Sequence, residues 1–336
     1  MTQQATLIAC APGVSQLASP LEGGYLRSVN AYVFEDEGGY TLVDSGVGSD
    51  EVWELFCAGI EGAGIAPRHI RRVLLTHGHH DHSGLAARLA STTGAEVWMH
   101  ARDVEFFERR FVRTEQYKVD LHRFLIANGT PGEEAVELTR SAESAARVTP
   151  EFRRVATYKG DDVFEVGEYR LEVVWTPGHT PGHVCFLDPA RRFAVCGDHI
   201  LPTVSPNVAM MPDSDLNPLP GYLESMQTFA EGEYEVALPG HGDAFDIGKR
   251  AKQLLTHQLD RQARVREVLT EGPATPYEVA EQIWRHTQPN NWSTFRGHVR
   301  RNAVQTIIAH LELLVSRGEA ARSGDEPTRY ELTGRG

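Results

Sequence analysis

The sequence predicts a mixed α/β fold, because short apolar runs of strand length alternate with stretches in which apolar residues recur every three to four positions. The chain has 336 residues, 41% of them hydrophobic, which is enough for one large domain and a smaller one. The runs predicted to be strands are Val29–Phe34, Tyr40–Val43, Val73–Leu75, Glu96–Met99, Tyr169–Trp175, Val184–Leu187, Phe193–Cys196 and Val236–Leu238. Helices are predicted between them at Asp50–Gly59 and Gly84–Thr92.

The pattern changes twice along the chain, and we expect a domain of residues 1–250 followed by one of residues 251–336. Over about 101–160, amphipathic helices interrupt the alternation, which we interpret as an inserted lid that shapes substrate choice. The alternative is a helical excursion that packs only on the scaffold. Near the end, an apolar stripe of helical period from Val304 to Val315 precedes a predicted hairpin, Ala320–Leu332.

The feature richest in chemistry is the segment Thr76-His-Gly-His-His-Asp-His82, which follows a predicted buried strand. Imidazole nitrogens suit zinc, and a neighbouring carboxylate adds a charged ligand, so His77, His79, Asp81 and His82 predict a metal site. A solvated His-rich turn is the alternative, since short motifs also match by chance.

Further candidate ligands occur downstream, each after a strand-like run and beside a glycine. They are His179 in Pro177-Gly-His-Thr-Pro-Gly-His183, Asp198 after Gly197, and His241 after Gly240. His183 competes with His179 for the same role, and His199 is a weaker candidate by its position next to Asp198.

This ordered set resembles the metallo-β-lactamase superfamily over about residues 25 to 245, in particular its lactamase-β-like and hydroxyacylglutathione hydrolase-like members. The resemblance implies a four-layer αββα sandwich and selects His179 over His183. It places His77, His79 and His179 on one metal and Asp81, His82 and His241 on the other, with Asp198 bridging them. It also matches Asp44 with a strand-end aspartate that supports ligands, although an ordinary turn aspartate remains the equal alternative.

The predicted activity is that of a dinuclear metal-dependent hydrolase in which a metal-bridging hydroxide attacks a small-molecule thioester, ester or lactone. Asp81 and Asp198 are its predicted catalytic residues. Two zinc ions are the first choice, with iron or manganese as alternatives. Rival functions are an endoribonuclease on single-stranded RNA, a mononuclear iron thiol dioxygenase, and a noncatalytic regulator. A serine hydrolase is disfavoured because no G-x-S-x-G motif is present.

Composition bears on partners and compartment. The C-terminal helices and hairpin resemble a winged-helix module, but residues 255–336 carry 11 Arg against 10 acidic residues, and the whole chain has a net charge of −13. Such a charge disfavours nucleic acid as a partner. Four cysteines without C-x-x-C spacing, no long apolar run and no basic, apolar leader favour a cytoplasmic enzyme without a membrane span. A homodimer is an open possibility.

Overall fold

A computed structural model of the chain describes residues 7–21, 26–140, 152, 154–158, 161–212, 214–286, 291–324 and 326–334. Residues 141–151, 153 and 159–160 of the predicted insertion lie outside the described residues. The chain divides into two compact units. The first comprises Met1–Val112, Ala145–Pro206 and Thr228–Ala251, and the second comprises Arg113–Ser144, Asn207–Gln227 and Lys252–Gly336.

The first unit contains two large sheets. The strands of the first sheet, in spatial order, are β1 (Leu7–Ala11), β2 (Val14–Pro20), β3 (Ser28–Asp36), β4 (Gly39–Val43), β5 (Ile70–Leu74), β6 (Glu96–His100) and β7 (Ala156–Tyr158). The second sheet is formed by β8 (Val163–Val166), β9 (Tyr169–Trp175), β10 (Val184–Asp188), β11 (Phe193–Gly197), β12 (Val236–Pro239) and β13 (Phe245–Asp246), which neighbour one another in that order.

Strand direction matters for the position of the loops. β4 to β7 run parallel to one another, and β11 runs parallel to β12, whereas the other pairs are antiparallel. Parallel neighbours end at the same edge of a sheet, so the loops that follow them are gathered there.

The two sheets pack face to face through a shared apolar core, to which Phe34 and Val43 contribute from the first sheet and Val173 and Phe186 from the second. Helices flank the sheets: α1 (Asp50–Gly62), α2 (His80–Ser83), α3 (Ala86–Thr93) and α4 (Ala101–Phe107) belong to the first unit. A second core lies on the outer side of the first sheet and includes Phe56 of α1 and Leu89 of α3. The predicted four-layer αββα arrangement is confirmed.

The second unit is mainly helical. Its elements include α5 (Thr114–Ala127), α6 (Gly132–Arg140), α9 (Pro276–Trp284), α10 (Gly297–Ser316) and the hairpin strands β14 (Ala320–Ser323) and β15 (Arg329–Leu332). Two further helices, α7 (Pro218–Glu231) and α8 (Ile247–Leu269), have most of their residues in this unit. None of the described helices combines the length and apolar character that a membrane span requires.

The core of the second unit joins segments that are far apart in sequence. Leu121 of α5 and Leu138 of α6 share an apolar cluster with Val265 of α8 and Ile307 of α10. The guanidinium of Arg300 forms ion pairs of 2.8 Å with Glu134 and Glu137 of α6. The segment Arg113–Ser144 therefore belongs to the same compact unit as the C-terminal helices, while the predicted boundaries and the lid role stay predictions.

Every strand predicted from the sequence is present, with ends that differ by a few residues. The helix predicted at Asp50 begins there, and Ser49 caps it by accepting from the amide of Val52. The helix predicted from Gly84 begins at Ala86. Thr275 forms a capping box with Glu278 at the start of α9. The N-terminal strands β1 and β2 were not predicted. β1 lies mostly exposed at the sheet edge and carries no alternating apolar pattern.

Substitution Ile307→Ala is expected to lower the free energy of unfolding by about 2–5 kcal/mol, because it removes a fully buried side chain from the core of the second unit. Leu259→Ala is the matched control: Leu259 is 58% exposed, and its change should stay within about 0.5 kcal/mol. Denaturant unfolding followed by circular dichroism measures both. Equal effects would contradict the placement of α10 in the core.

Candidate metal centre

The predicted ligand residues all follow strands whose ends meet at one edge of the sheets. β5 leads into the loop of His77 and His79, β9 into the loop of His179, β11 into Asp198 and β12 into His241. Each loop is thus anchored by a buried strand, and the topology brings together residues from distant parts of the chain.

His77, His79 and His179 form a first group of side chains that could hold a metal ion. Nδ1 of His79 lies 3.1 Å from Nε2 of His77 and 2.9 Å from Nε2 of His179. His77 is fully buried, whereas His79 and His179 are partly exposed. The group is therefore backed by the core and accessible from one side.

Asp81, His82 and His241 form a second group. Nε2 of His82 and Nε2 of His241 are 3.4 Å apart, and Oδ2 of Asp81 lies 3.9 Å and 3.6 Å from them, respectively. Asp81 is the more exposed member, at 18% for its side chain, while both imidazoles are buried.

Asp198 stands between the two groups. Its Oδ1 lies 3.3 Å from Nε2 of both His82 and His241, and its Oδ2 lies 3.5 Å from Nε2 of His179. Neither contact of Oδ1 has hydrogen-bond geometry, so within the described residues this buried oxygen has no hydrogen-bond partner. One carboxylate oxygen therefore faces each group.

The spacing of these atoms fits metal coordination. Two atoms that each bind one tetrahedral zinc at about 2.0–2.1 Å lie roughly 3.3 Å apart. The separations in both groups, from 2.9 to 3.9 Å, bracket that value. Neutral imidazoles and carboxylates are also the ligands that divalent zinc, iron and manganese accept. The residues thus fit a pair of divalent ions, and their individual assignment as ligands stays a prediction.

The protonation states of two histidines in the first group also fit metal binding. Burial and the neighbouring imidazoles, first His82, lower the pKa of His77 well below its ordinary value. Burial and the imidazole of His179 do the same to the pKa of His79. Both rings are therefore neutral at physiological pH, which is the form that binds metals.

Around Asp198 the neighbouring charges favour the ionised forms of the side chains instead of the neutral ones. Burial acts to raise the pKa of Asp198, but the imidazoles of His241 and His82 hold it well below its ordinary range. Burial opposes protonation of His82, yet the carboxylates of Asp198 and Asp44 raise its pKa well above the ordinary value. This part of the site favours positive charge, which is what a divalent cation would bring.

Asp44 supports the second group. It is 2% exposed and accepts three hydrogen bonds of 2.8 Å: from the amide of Thr76 at Oδ1, and from the Thr76 hydroxyl and Nδ1 of His82 at Oδ2. Its backbone has a φ of +61°, a conformation that aspartate tolerates better than most residues. The contact fixes the ring of His82 with Nε2 directed at the site.

Backbone carbonyls support His241. Its Nδ1 lies 2.6 Å from the carbonyl oxygen of Ser28 on β3. The side-chain amide of Asn30, also on β3, donates to the carbonyls of Pro239 and Gly242 at 2.9 and 2.8 Å, on either side of His241. A strand of the first sheet therefore holds the loop of the second sheet in place.

The remaining histidine candidates lie outside both groups. Nδ1 of His183 is 3.0 Å from the hydroxyl of Thr176, and its ring stacks on His77 at 5.1 Å. His199 is fully buried, with its ring 5.4 Å from that of His183, and burial lowers its pKa to about 3. Both rings act as neutral packing groups behind the ligands.

Two aromatic residues within the predicted insertion, Phe107 and Phe111, are core residues. Phe107 and Phe111 are 3% and 7% exposed, with ring centroids 5.4 Å apart. Phe111 also contacts the ring of His80, and neighbouring Phe106 packs edge-on against His79. These rings form an apolar wall beside the first group.

Sequence reasoning missed Asp103, a buried carboxylate on α4. Its three hydrogen-bond donors come from the loops that carry His77, His79 and His179. A single aspartate within an amphipathic helix gives no pattern by which it could have been identified. The only indication in the sequence was that Asp103 follows shortly after β6, which is one of the parallel strands.

The comparisons with known proteins agree with this geometry. Residues 24–241 match the sequence profile of the metallo-beta-lactamase superfamily. The chain is 24% identical over 251 residues to the probable metallo-hydrolase YqjP of Bacillus subtilis, covering 73% of this chain and 77% of that protein. It is 26% identical to the hydroxyacylglutathione hydrolase GloC of Haemophilus influenzae, over 41% of this chain and 58% of that protein.

Among solved structures, the metallo-beta-lactamase family protein TTHA1429 of Thermus thermophilus is similar over nearly the whole chain. The two share 29% identity with a TM-score of 0.81, covering 97% of this chain and 100% of that one. Fold and site together define a metal-dependent hydrolase. The chain belongs to the metallo-β-lactamase superfamily.

Gly240→Ala is expected to abolish metal binding. A Cβ at this position would lie 2.5 Å from both Oδ1 of Asp198 and Cε1 of His82, so both candidate ligands would be displaced. Gly62→Ala in α1 is the control, because its Cβ would meet open space. Metal content measured after gel filtration, with circular dichroism to verify folding, distinguishes them. A folded Gly240→Ala protein with wild-type metal content would refute the described geometry.

Proposed function

We propose that the chain is a dinuclear metal-dependent hydrolase of small-molecule acyl compounds, namely a thioester, an ester or a lactone. The observation that carries this proposal is the orientation of Asp198, whose two oxygens face the two ligand groups. Zinc is the first choice of metal, with iron or manganese as alternatives. The hydroxyacylglutathione hydrolase relative supports an acyl substrate by its name.

Two divalent ions held by these groups would activate a water molecule and polarise the acyl carbonyl oxygen. The residues of the chain set the conditions for that chemistry. Asp198 fixes the spacing between the groups, and its depressed pKa keeps it ionised. The buried imidazoles of His77 and His82 exclude water from the inner side, so charges interact more strongly there than in bulk solvent.

Asp81 is the residue best placed to move a proton. Its carboxylate is part of the second group and is also exposed to solvent, so it can contact an entering substrate. We infer that it takes a proton from the attacking water and later passes it to the leaving group, and that a thiolate leaving group needs this help least.

The burial of α10 disfavours the ribonuclease alternative. In a winged-helix module, the second helix of the helix-turn-helix pair lies in the groove of the nucleic acid. Here the corresponding helix would be α10, of whose 20 residues 12 are buried. Gln305 bonds to Met210, Thr306 to Asn207 and His310 to Gln262, so three of its buried polar residues form hydrogen bonds within the unit. We infer that this helix packs and does not read nucleic acid.

Chelation and a substrate panel test the proposal. Purified protein is assayed on thioesters, esters, lactones and single-stranded RNA, with and without a metal chelator. We expect acyl hydrolysis that the chelator abolishes and that added zinc restores, without any requirement for dioxygen. Hydrolysis that persists under chelation would contradict the mechanism, and RNA cleavage with RNA binding at low salt would replace it.

Asp198→Asn is expected to reduce kcat/KM by more than the roughly 10–100-fold that changes to residues around the ligands cost. The reason is that the substitution removes a charge shared by both groups. Asp81→Asn should lower kcat and leave most of the metal bound. Steady-state kinetics and metal analysis measure both variants. Equal metal content and equal activity in the two would contradict a bridging role for Asp198.

A further inference from the structure

Asp103 has an environment that its place in the sequence does not explain. It is completely buried, and no ion pair to it is found among the residues that the structure describes. Burial raises its pKa to about 6, although three hydrogen bonds oppose that rise. A buried carboxylate without a cationic partner is costly, so its position has a reason beyond packing.

The hydrogen bonds of Asp103 connect two loops. Oδ2 accepts from the amide of Gly78 and from the hydroxyl of Thr180, both at 2.7 Å. Oδ1 accepts from the amide of Gly182 at 2.6 Å. All three are short, charge-assisted bonds that fix the direction of their donors.

Two of the three donors lie directly beside candidate ligands. Gly78 separates His77 from His79 in the loop after β5 of the first sheet. Thr180 follows His179 in the loop after β9 of the second sheet. One carboxylate therefore holds the two loops that supply the whole first group, although they come from different sheets.

Close packing makes this connection specific. A Cβ on Gly182 would lie 2.5 Å from the backbone nitrogen of Asp103 and 2.8 Å from its Oδ1. A Cβ on Gly78 would lie 3.2 Å from the backbone oxygen of Asp103. Both loops approach α4 as closely as glycine allows, which is required for their amides to reach the carboxylate.

Asp44 offers a comparison within the same site. Its partners, Thr76 and His82, both follow β5 of the first sheet. Asp44 thus orients a ligand within one loop, whereas Asp103 joins two loops. Asp44 contacts His82 of the second group directly and reaches His77 of the first group only through the hydroxyl of Thr76.

We propose that Asp103 is a positioning residue that sets the distance between His179 and the pair His77 and His79. It thereby determines the metal affinity of the first group without affecting the second. The inference rests on the proposed dinuclear function, and it assigns the assembly of one of the two sites to a residue outside both candidate ligand groups.

The test is metal binding by Asp103→Asn, in which an amide NH₂ replaces one acceptor oxygen and opposes a backbone donor. Metal titration should show that the number of tightly bound ions per chain falls from about two to about one. The affinity of the affected site should fall roughly 10–100-fold. Visible absorption of the cobalt-loaded protein should lose the component of one site and keep the other. Asp188→Asn is the matched control, because Asp188 is also fully buried and accepts backbone amides from Arg170 and Arg191.

A milder pair of variants keeps the test valid if Asp103→Asn does not fold. Thr180→Val removes one donor at nearly constant volume, and Thr180→Ser retains it. We expect Thr180→Val to weaken the same single site and Thr180→Ser to restore wild-type affinity. A purely structural role would lower stability in both Asp103→Asn and Asp188→Asn and leave both metal sites equally affected.

The outcomes separate this inference from the proposed function. Two ions bound with unchanged affinity in folded Asp103→Asn and Thr180→Val would overturn the role of Asp103 and leave the dinuclear proposal standing. A wild-type protein that binds one ion would end the dinuclear proposal. The role of Asp103 would then require that this ion bind at least tenfold more weakly in both variants, and unchanged affinity would overturn it.

Discussion

The site depends on the face-to-face packing of the two sheets. Residues such as Val43 and Val173 meet in the core between them, and the loops at the strand ends meet only because that core fixes the two sheets against each other. His77, His79, Asp81 and His82 come from the first sheet, whereas His179, Asp198 and His241 come from the second. Burial of apolar side chains favours no particular direction by itself. Because it fixes the two sheets against each other, it also fixes the relative positions of the polar groups at the strand ends.

The arrangement also relies on carboxylates that are placed in the core despite their desolvation cost. Asp198, Asp44 and Asp103 are all buried, and each is stabilised differently. Imidazoles surround Asp198, a threonine and a histidine satisfy Asp44, and amides with one hydroxyl satisfy Asp103. For Asp44 and Asp103 these costs are offset by hydrogen bonds, and the same bonds orient the loops that carry the candidate ligands.

Much of this arrangement could be predicted from the sequence, because ligand chemistry leaves a dense local pattern. His77 to His82 are close in sequence, and Asp198 and His241 each follow a glycine at a strand end, which is why the groups could be proposed as an ordered set. The edge strands could not be predicted, since β1 is mostly exposed and lacks alternation. Asp103 could not be identified either, because its role arises from contacts with Gly78 and Gly182, which only the fold brings near. The position of Arg113–Ser144 in the second unit could not be predicted either. An amphipathic pattern shows which face of a helix is buried, but it does not identify the element against which that face packs.

The origin of the candidate ligands in both sheets has a thermodynamic consequence. A cation held by His77, His79 and His179 would be a noncovalent cross-link between the sheets, in addition to their apolar contacts and hydrogen bonds. Binding to the folded state alone shifts the unfolding equilibrium in proportion to the logarithm of the free metal concentration. Metal supply and the stability of the sandwich would therefore be coupled, and scarcity of metal would lower the stability of the fold as well as the activity.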